Sequence, residues 1–205
     1  MNREQLSLYL VTDSSFLNGR DFLDVVGAAV RGGVTMVQLR EKDACTRDFV
    51  ERAVALHDFL KELGVPLIVN DRVDVALACG AEGVHTGQSD MPVGMARALL
   101  GEEKIIGLSV ESLEQVSVAN SLDVNYIGVS PVFSTPTKMD TAPAFGEEGL
   151  NQAVRMSVHP CVAIGGVNLS NAARVKACGV AGIAVVSAIM GAPDPERAAS
   201  ELLKI

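Results

Sequence analysis

Eight short segments of strand character recur along the chain, each followed by a stretch of helix length, and this alternation limits the fold more than any other feature. They read LSLYLVTD (6–13), TMVQLRE (35–41), PLIVND (66–71), GVHTGQ (83–88), KIIGLSV (104–110), YIGVSP (126–131), CVAIGG (161–166) and GIAVVSA (182–188). Between them apolar residues fall at helical spacing, as at Phe49, Ala53, Leu56 and Leu60, and the patterns end near glycines such as Gly64 and Gly101. Repetition at intervals of roughly 16 to 35 residues predicts an α/β fold, a (β/α)8 TIM barrel. A doubly wound sheet is the main rival. It is disfavoured by the strand count and by VTDSSFLNG after the first strand, where a GxGxxG would stand.

With 205 residues and no stretch resembling a linker, the chain is expected to form one barrel domain over 1–205. A composition 48% hydrophobic but only 4% aromatic suits parallel strands covered by Ala-rich helices. No apolar run approaches the roughly 18 residues that span a bilayer, and MNREQLSLYL lacks the basic start and long apolar core of a signal peptide. A cytoplasmic protein is the expectation. Cys45, Cys79, Cys161 and Cys178 form no CxxC, so they read as core fillers rather than disulfide or zinc partners. A net charge of −8 and a pI near 4.9 argue against nucleic acid and acidic membrane surfaces as partners. A phosphorylated small molecule stays compatible, because a few converging cations and backbone N–H groups reverse the potential locally. Homo-oligomer formation is left open.

Three of the strand segments end in bursts of polarity: Arg40, Glu41, Lys42 and Asp43; Asn70, Asp71 and Arg72; Gly87, Gln88, Ser89 and Asp90. A barrel explains the recurrence, since such enzymes build their sites at the C-terminal ends of the strands. One mouth would then collect Asp13, Gln38, Arg40, Lys42, Asn70, Asp71, Arg72, His85, Gln88, Asp90, Ser109, Thr135, Thr137, Lys138, Gly165, Gly166, Val186 and Ser187. Cations and amides suit a polyphosphate, and Asp71 with Asp90 are hard oxygen ligands of the kind that hold Mg²⁺. Each carboxylate has a plainer reading as a helix cap, near Arg72 and Pro92 respectively. SPVFSTPTK (130–138) reads either as a proline-organised turn or as a flap closing over substrate. The glycine pair in AIGGV (163–167), with VVSA (185–188), reads either as close packing or as a backbone phosphate cradle on strands seven and eight. His57 and His159 are not catalytic candidates, and His85 reads as a satisfied barrel-interior residue more readily than as a base. No Ser-His-Asp order, HExxH or basic-aromatic patch is present.

In order along nearly the whole chain, YLVTD, VQLREKD, LIVNDRVDVAL, EGVHTGQSD, IIGLSV, YIGVSPVFSTPTK, APAFGEEGL, VAIGGV, GIAVVSAI and a final P-x-x-A together resemble the thiamine phosphate synthase (thiamine-phosphate pyrophosphorylase) family. The resemblance implies a transferase of thiamine biosynthesis that joins hydroxymethylpyrimidine diphosphate to hydroxyethylthiazole phosphate and releases pyrophosphate. Mapped by motif, it implies that the Gln38, Leu39, Arg40, Glu41 and Lys42 run, with Asn70, Ser109 and Lys138, contacts the pyrimidine diphosphate. Asp71 and Asp90 would hold Mg²⁺, while Thr135, Pro136, Thr137, Gly166, Val186 and Ser187 would surround the thiazole phosphate. Arg40, Lys42 and Lys138 would act catalytically on a dissociating pyrophosphate. Ser130, Thr86 and Glu111 depart from common family residues (Gly, an aliphatic residue and His). The nearest rival on the same barrel, a thiazole tautomerase, is expected to lack the diphosphate and metal set that is intact here. A non-catalytic barrel binding a phosphorylated ligand is the third reading.

Overall fold

The structure is a computed structural model that describes residues 1–134 and 143–205. Eight parallel strands close on themselves in sequence order: β1 (Leu8–Val11), β2 (Met36–Leu39), β3 (Leu67–Asn70), β4 (Gly83–Thr86), β5 (Ile105–Val110), β6 (Tyr126–Val129), β7 (Cys161–Ile164) and β8 (Gly182–Val185). Closure is a direct pairing of first and last strands, with Leu8 opposite Ile183 and Leu10 opposite Val185. The fold is therefore the (β/α)8 barrel that the strand–helix alternation predicts.

Around it lie α1 (Phe22–Arg31), α2 (Thr46–Leu63), α3 (Val73–Cys79), α4 (Val93–Leu100), α5 (Leu113–Ala119), α6 (Gly146–Met156), α7 (Ala172–Ala177), the one-turn α8 (Ser187–Met190) and α9 (Pro195–Lys204). Start signals are local: Asp21, Ser112 and Asp194 each cap a helix by accepting a backbone N–H from the residue three positions on. Stops are local too, with Gly64 and Gly80 in the left-handed region after α2 and α3.

Each strand feeds two separate cores because successive side chains point to opposite faces. On β1, Leu8 and Leu10 face the helices, whereas Tyr9 and Val11 face the barrel axis. The outer core takes Leu56 and Leu60 of α2 and Val116 of α5, and the inner one takes Met36, Ile68 and Val162. A 3-10 turn at Arg3–Leu6 puts Leu6 into the inner core, opposite the end that holds the site.

Two expectations need correction. The strand-like patterns overrun the real strands chiefly at their C-terminal ends, since β1 stops at Val11 and β4 at Thr86. The surplus residues at those ends are mostly polar or glycine, and Arg40, Asp71, Gly87 and Gln88 among them leave the ladder to line the mouth. The cysteines are all free, as expected, but Cys45 is exposed at the start of α2 and fills no core.

Thr86 is buried, and its Oγ1 has no hydrogen-bond partner among the described residues. A hydroxyl removed from water without a partner costs free energy, and valine keeps the shape without it. Thr86→Val should stabilise the protein by about 1 kcal/mol. A fall in the urea midpoint at unchanged m-value would show instead that the hydroxyl is satisfied in solution.

Candidate active site

A cavity of about 900 Å³ opens at the C-terminal ends of the strands. From β2, Gln38 reaches it with the side chain almost fully buried, followed by Arg40 and Lys42. The alternation continues past the strand end, so Leu39 and Glu41 turn the other way. Leu39 is buried in the outer core, and the Glu41 carboxylate pairs with Arg52 Nη1 and accepts from Ser14 Oγ at 3.2 Å. Neither lines the cavity. The Arg40 guanidinium is held 3.6 Å from the Asp13 carboxylate, and its backbone N–H donates to Thr12 Oγ1 at 3.2 Å.

At the end of β3, Asn70 and Asp71 face the cavity, but Arg72, expected there too, turns out to an exposed ion pair with Asp74, because the next residue along the chain points the other way. Asp71 sits at φ +61°, in the left-handed region that non-glycine residues seldom occupy, and its N–H donates to the His85 carbonyl at 2.8 Å. Strain of this kind persists only where neighbours enforce it, and here it turns the carboxyl inward toward Asp90. Asp90 Oδ2 accepts the Gly87 N–H at 2.7 Å, and Gln88 Nε2 donates to the Ser109 carbonyl at 2.6 Å. The capping alternative does not hold for either carboxylate. The N-caps of α3 and α4 are Arg72 and Pro92, and neither makes a side-chain cap hydrogen bond.

Burial, the hydrogen bond from Asp90 and its charge push the Asp71 carboxyl up to about 6, against the opposing pull of Asn70 and Arg40. Two carboxyls sharing one half-buried place are a destabilised arrangement unless a proton or a cation sits between them. Among the described residues no group of three or more His, Cys, Asp or Glu side chains converges on a metal site. The pair nonetheless fits Mg²⁺, which takes one or two carboxylates and leaves other positions to water and phosphate oxygens.

Across the mouth, Gly165 and Gly166 have φ of +99° and +68°. Space demands glycine there as firmly as φ does. A Cβ on Gly165 would lie 2.7 Å from Pro131 Cα, and one on Gly166 would lie 2.8 Å from Phe133 Cβ. Asn168 and Asn171 pin this turn through the Gly166 carbonyl at 3.1 and 2.9 Å. Val186 and Ser187 line the same side where α8 begins. Arg20 anchors the far end of α8, donating to the carbonyls of Met190 and, at 2.7 Å, Ala192. Thr135, Pro136, Thr137 and Lys138 lie outside the described residues.

The floor holds residues that motif reading passes over. Tyr9 and Tyr126 are fully buried yet border the cavity, next to His85. Their signal was available: they are the only two tyrosines in the chain, and both stand on strands. Glu111, Ser134 and Asn168 also line the mouth.

The family model for thiamine monophosphate synthase matches residues 8–189. The thiamine-phosphate synthase of Albidiferax ferrireducens is 56% identical over 202 residues, covering 98% of this chain and 92% of that protein. That of Vibrio campbellii is 54% identical over 196 residues, covering 96% of each. Among solved structures, the thiamine phosphate pyrophosphorylase of Pyrococcus furiosus superposes with a TM-score of 0.90 at 41% identity, covering 98% of this chain and 96% of that one. A match of this extent, on a mouth that gathers cations, paired carboxylates and a glycine turn, means that the chain belongs to the thiamine monophosphate synthase family of transferases.

Proposed function

We propose that this cavity joins hydroxymethylpyrimidine diphosphate to hydroxyethylthiazole phosphate, releasing pyrophosphate and forming thiamine phosphate. The observation that carries the reading is the division of one cavity into two anion-binding sides. Arg40, Lys42, Asn70 and the Asp71–Asp90 pair stand on β2 to β4, while Gly165, Gly166, Val186 and Ser187 stand on β7 and β8. A diphosphate with its cation suits the first side, and a monophosphate held by backbone donors suits the second.

In this reading pyrophosphate leaves first, and the thiazole nitrogen captures the resulting pyrimidine-methyl cation. Asp71 and Asp90 would hold Mg²⁺, which when bound supplies positive charge to the diphosphate oxygens. Arg40 and Lys42 stabilise the charge that grows on the leaving group, with Lys138 joining them from the segment after β6. Asp13 keeps the Arg40 guanidinium aimed, so little reorganisation is needed as bonds break. Thr135, Pro136 and Thr137 would cover the thiazole phosphate and exclude water that would otherwise trap the cation. No side chain needs to act as a nucleophile or strong base, which accords with the lack of a hydrolytic triad in the sequence. The intact cation and carboxylate set, and a Glu rather than a His at position 111, favour a synthase over a tautomerase.

The direct test is to incubate the protein with both substrates and Mg²⁺ and to follow pyrophosphate and thiamine phosphate together. Equimolar appearance of both is expected. Binding of both substrates without turnover would leave a ligand-binding barrel instead.

Asp71→Asn and Asp90→Asn should each weaken the response to Mg²⁺ by at least roughly 10- to 100-fold, as removal of a hard ligand requires. Titration of Mn²⁺ followed by its electron paramagnetic resonance signal checks this without turnover. Wild-type Mn²⁺ affinity in either variant would remove that residue from the metal set.

Ser187→Glu should weaken the thiazole phosphate by about 10-fold or more, since it sets a carboxylate against a phosphate, and should spare the pyrimidine diphosphate. Calorimetry on each substrate separately decides it. Equal losses for both would contradict two distinct anion sides.

A further inference from the structure

Five side chains from five strands form one unbroken row across the barrel floor. Gln38 Nε2 donates to Tyr9 Oη at 2.8 Å, and Tyr9 Oη lies 2.9 Å from Tyr126 Oη. Tyr126 Oη lies 2.9 Å from His85 Nδ1, and His85 Nε2 lies 2.8 Å from Ser109 Oγ. Two glycines make room for it. A Cβ on Gly107 of β5 would fall 2.2 Å from Tyr126 Cζ and 2.5 Å from His85 Nδ1, and one on Gly128 of β6 would fall 3.2 Å from His85 Cε1. The rings also brace one another, with Tyr9 edge-on to Tyr126 at 5.9 Å and His85 tilted against Tyr126 at 5.5 Å.

The row has a direction. An amide N–H can only donate, so Tyr9 Oη accepts from Gln38 and has its own O–H left for Tyr126. Tyr126 then donates to His85 Nδ1, which puts the imidazole proton on Nε2, and Nε2 donates to Ser109 Oγ. The reverse order would leave the Tyr9 phenol proton without an acceptor in a fully buried site, a costly outcome. Burial pushes the pKa of both phenols well above its ordinary value, so both stay protonated. Both ends open on the cavity. Gln38 Oε1 accepts no hydrogen bond among the described residues and is offered as an acceptor. The Ser109 hydroxyl, already accepting from His85, is offered as a donor.

We propose that Tyr9, Tyr126 and His85 are positioning residues that lock this polarity, so that the floor selects a ring carrying an amino group toward Gln38 and a ring nitrogen toward Ser109. This rests on the reading that the site takes a pyrimidine diphosphate. An aminopyrimidine satisfies both ends. A counterpart with oxygen in place of the amino group sets acceptor against acceptor at Gln38. Turning the amide to accommodate it would set Oε1 against Tyr9 Oη and force every proton in the row to reverse, down to the His85 tautomer. Tyr9→Phe keeps the ring, removes the lock and frees the amide to turn.

The test has two parts. Nitrogen-15 NMR of histidine-labelled, ligand-free protein reads the His85 tautomer directly, and a proton on Nε2 is expected. A proton on Nδ1 would overturn the direction of the row. Calorimetry with Mg²⁺ then compares hydroxymethylpyrimidine diphosphate with its oxo counterpart. The wild type should prefer the amino form by on the order of 10²-fold, the effect of one mispaired buried group. Tyr9→Phe should cut that preference about tenfold or more while losing less affinity for the amino form itself. Tyr126→Phe, which severs the row at its centre, should additionally give His85 a mixed tautomer signal. An undiminished preference in Tyr9→Phe would show that the tyrosine is only packing. If neither ligand binds the wild type, the proposed function fails along with the selectivity assigned to the floor, while the tautomer still decides the direction of the row.

Discussion

Closure of the sheet is the constraint on which the rest depends. Once β1 pairs with β8, no strand has a free edge, and every second side chain must point to an axis that other strands already crowd. Inward positions near the N-terminal end are filled by Leu6, Met36 and Ile105, which seal it. Toward the other end the axis residues become Tyr9, Gln38, His85 and Ser109, and above them the loops supply charge. The site is thus continuous with the barrel core rather than laid on its surface.

That continuity produces two chemically different layers. The rim is charged and strained: Arg40 against Asp13, Asp71 at positive φ, Asp71 facing Asp90. The last two are unfavourable alone, and the diphosphate and cation of the proposed function would relieve the meeting of the carboxyls. The floor carries no acidic side chain, lysine or arginine, and its row of hydrogen bonds meets the cavity at Gln38 and Ser109. The proposed reaction, in which a carbocation forms, would need such a division, with charge stabilisation at the leaving group and little free water or nucleophilicity near the ring.

Supports outside the cavity keep the layers in place. Arg20 ties the loop after β1 to the end of α8, bonding the carbonyls of Phe16 and Leu17 as well as those of Met190 and Ala192. The turn after β7 packs its glycines against the segment after β6, with Val132 and Phe133 donating to Ile164 and Gly165 at 2.9 and 3.0 Å. Two sides of the mouth that are distant in sequence are therefore held as one frame.

The sequence alone determined the eight strands, their order and the convergence of polar residues at their C-terminal ends, because periodicity and strand–helix alternation are local properties. Gln38, Arg40, Lys42, Asn70, Asp71, Asp90, Ser109, Gly166 and Ser187 were legible as cavity residues for the same reason. Leu39 and Glu41 were drawn in with their motif, and only the direction of each side chain separates them from their neighbours. Tertiary structure also decided between capping and pairing for Asp71 and Asp90, since that choice turns on where two strand ends meet. The tyrosine row was beyond sequence reading altogether. Tyr9 and Tyr126 are 117 residues apart, and a contact that exists only once the barrel has closed leaves no local pattern in the chain.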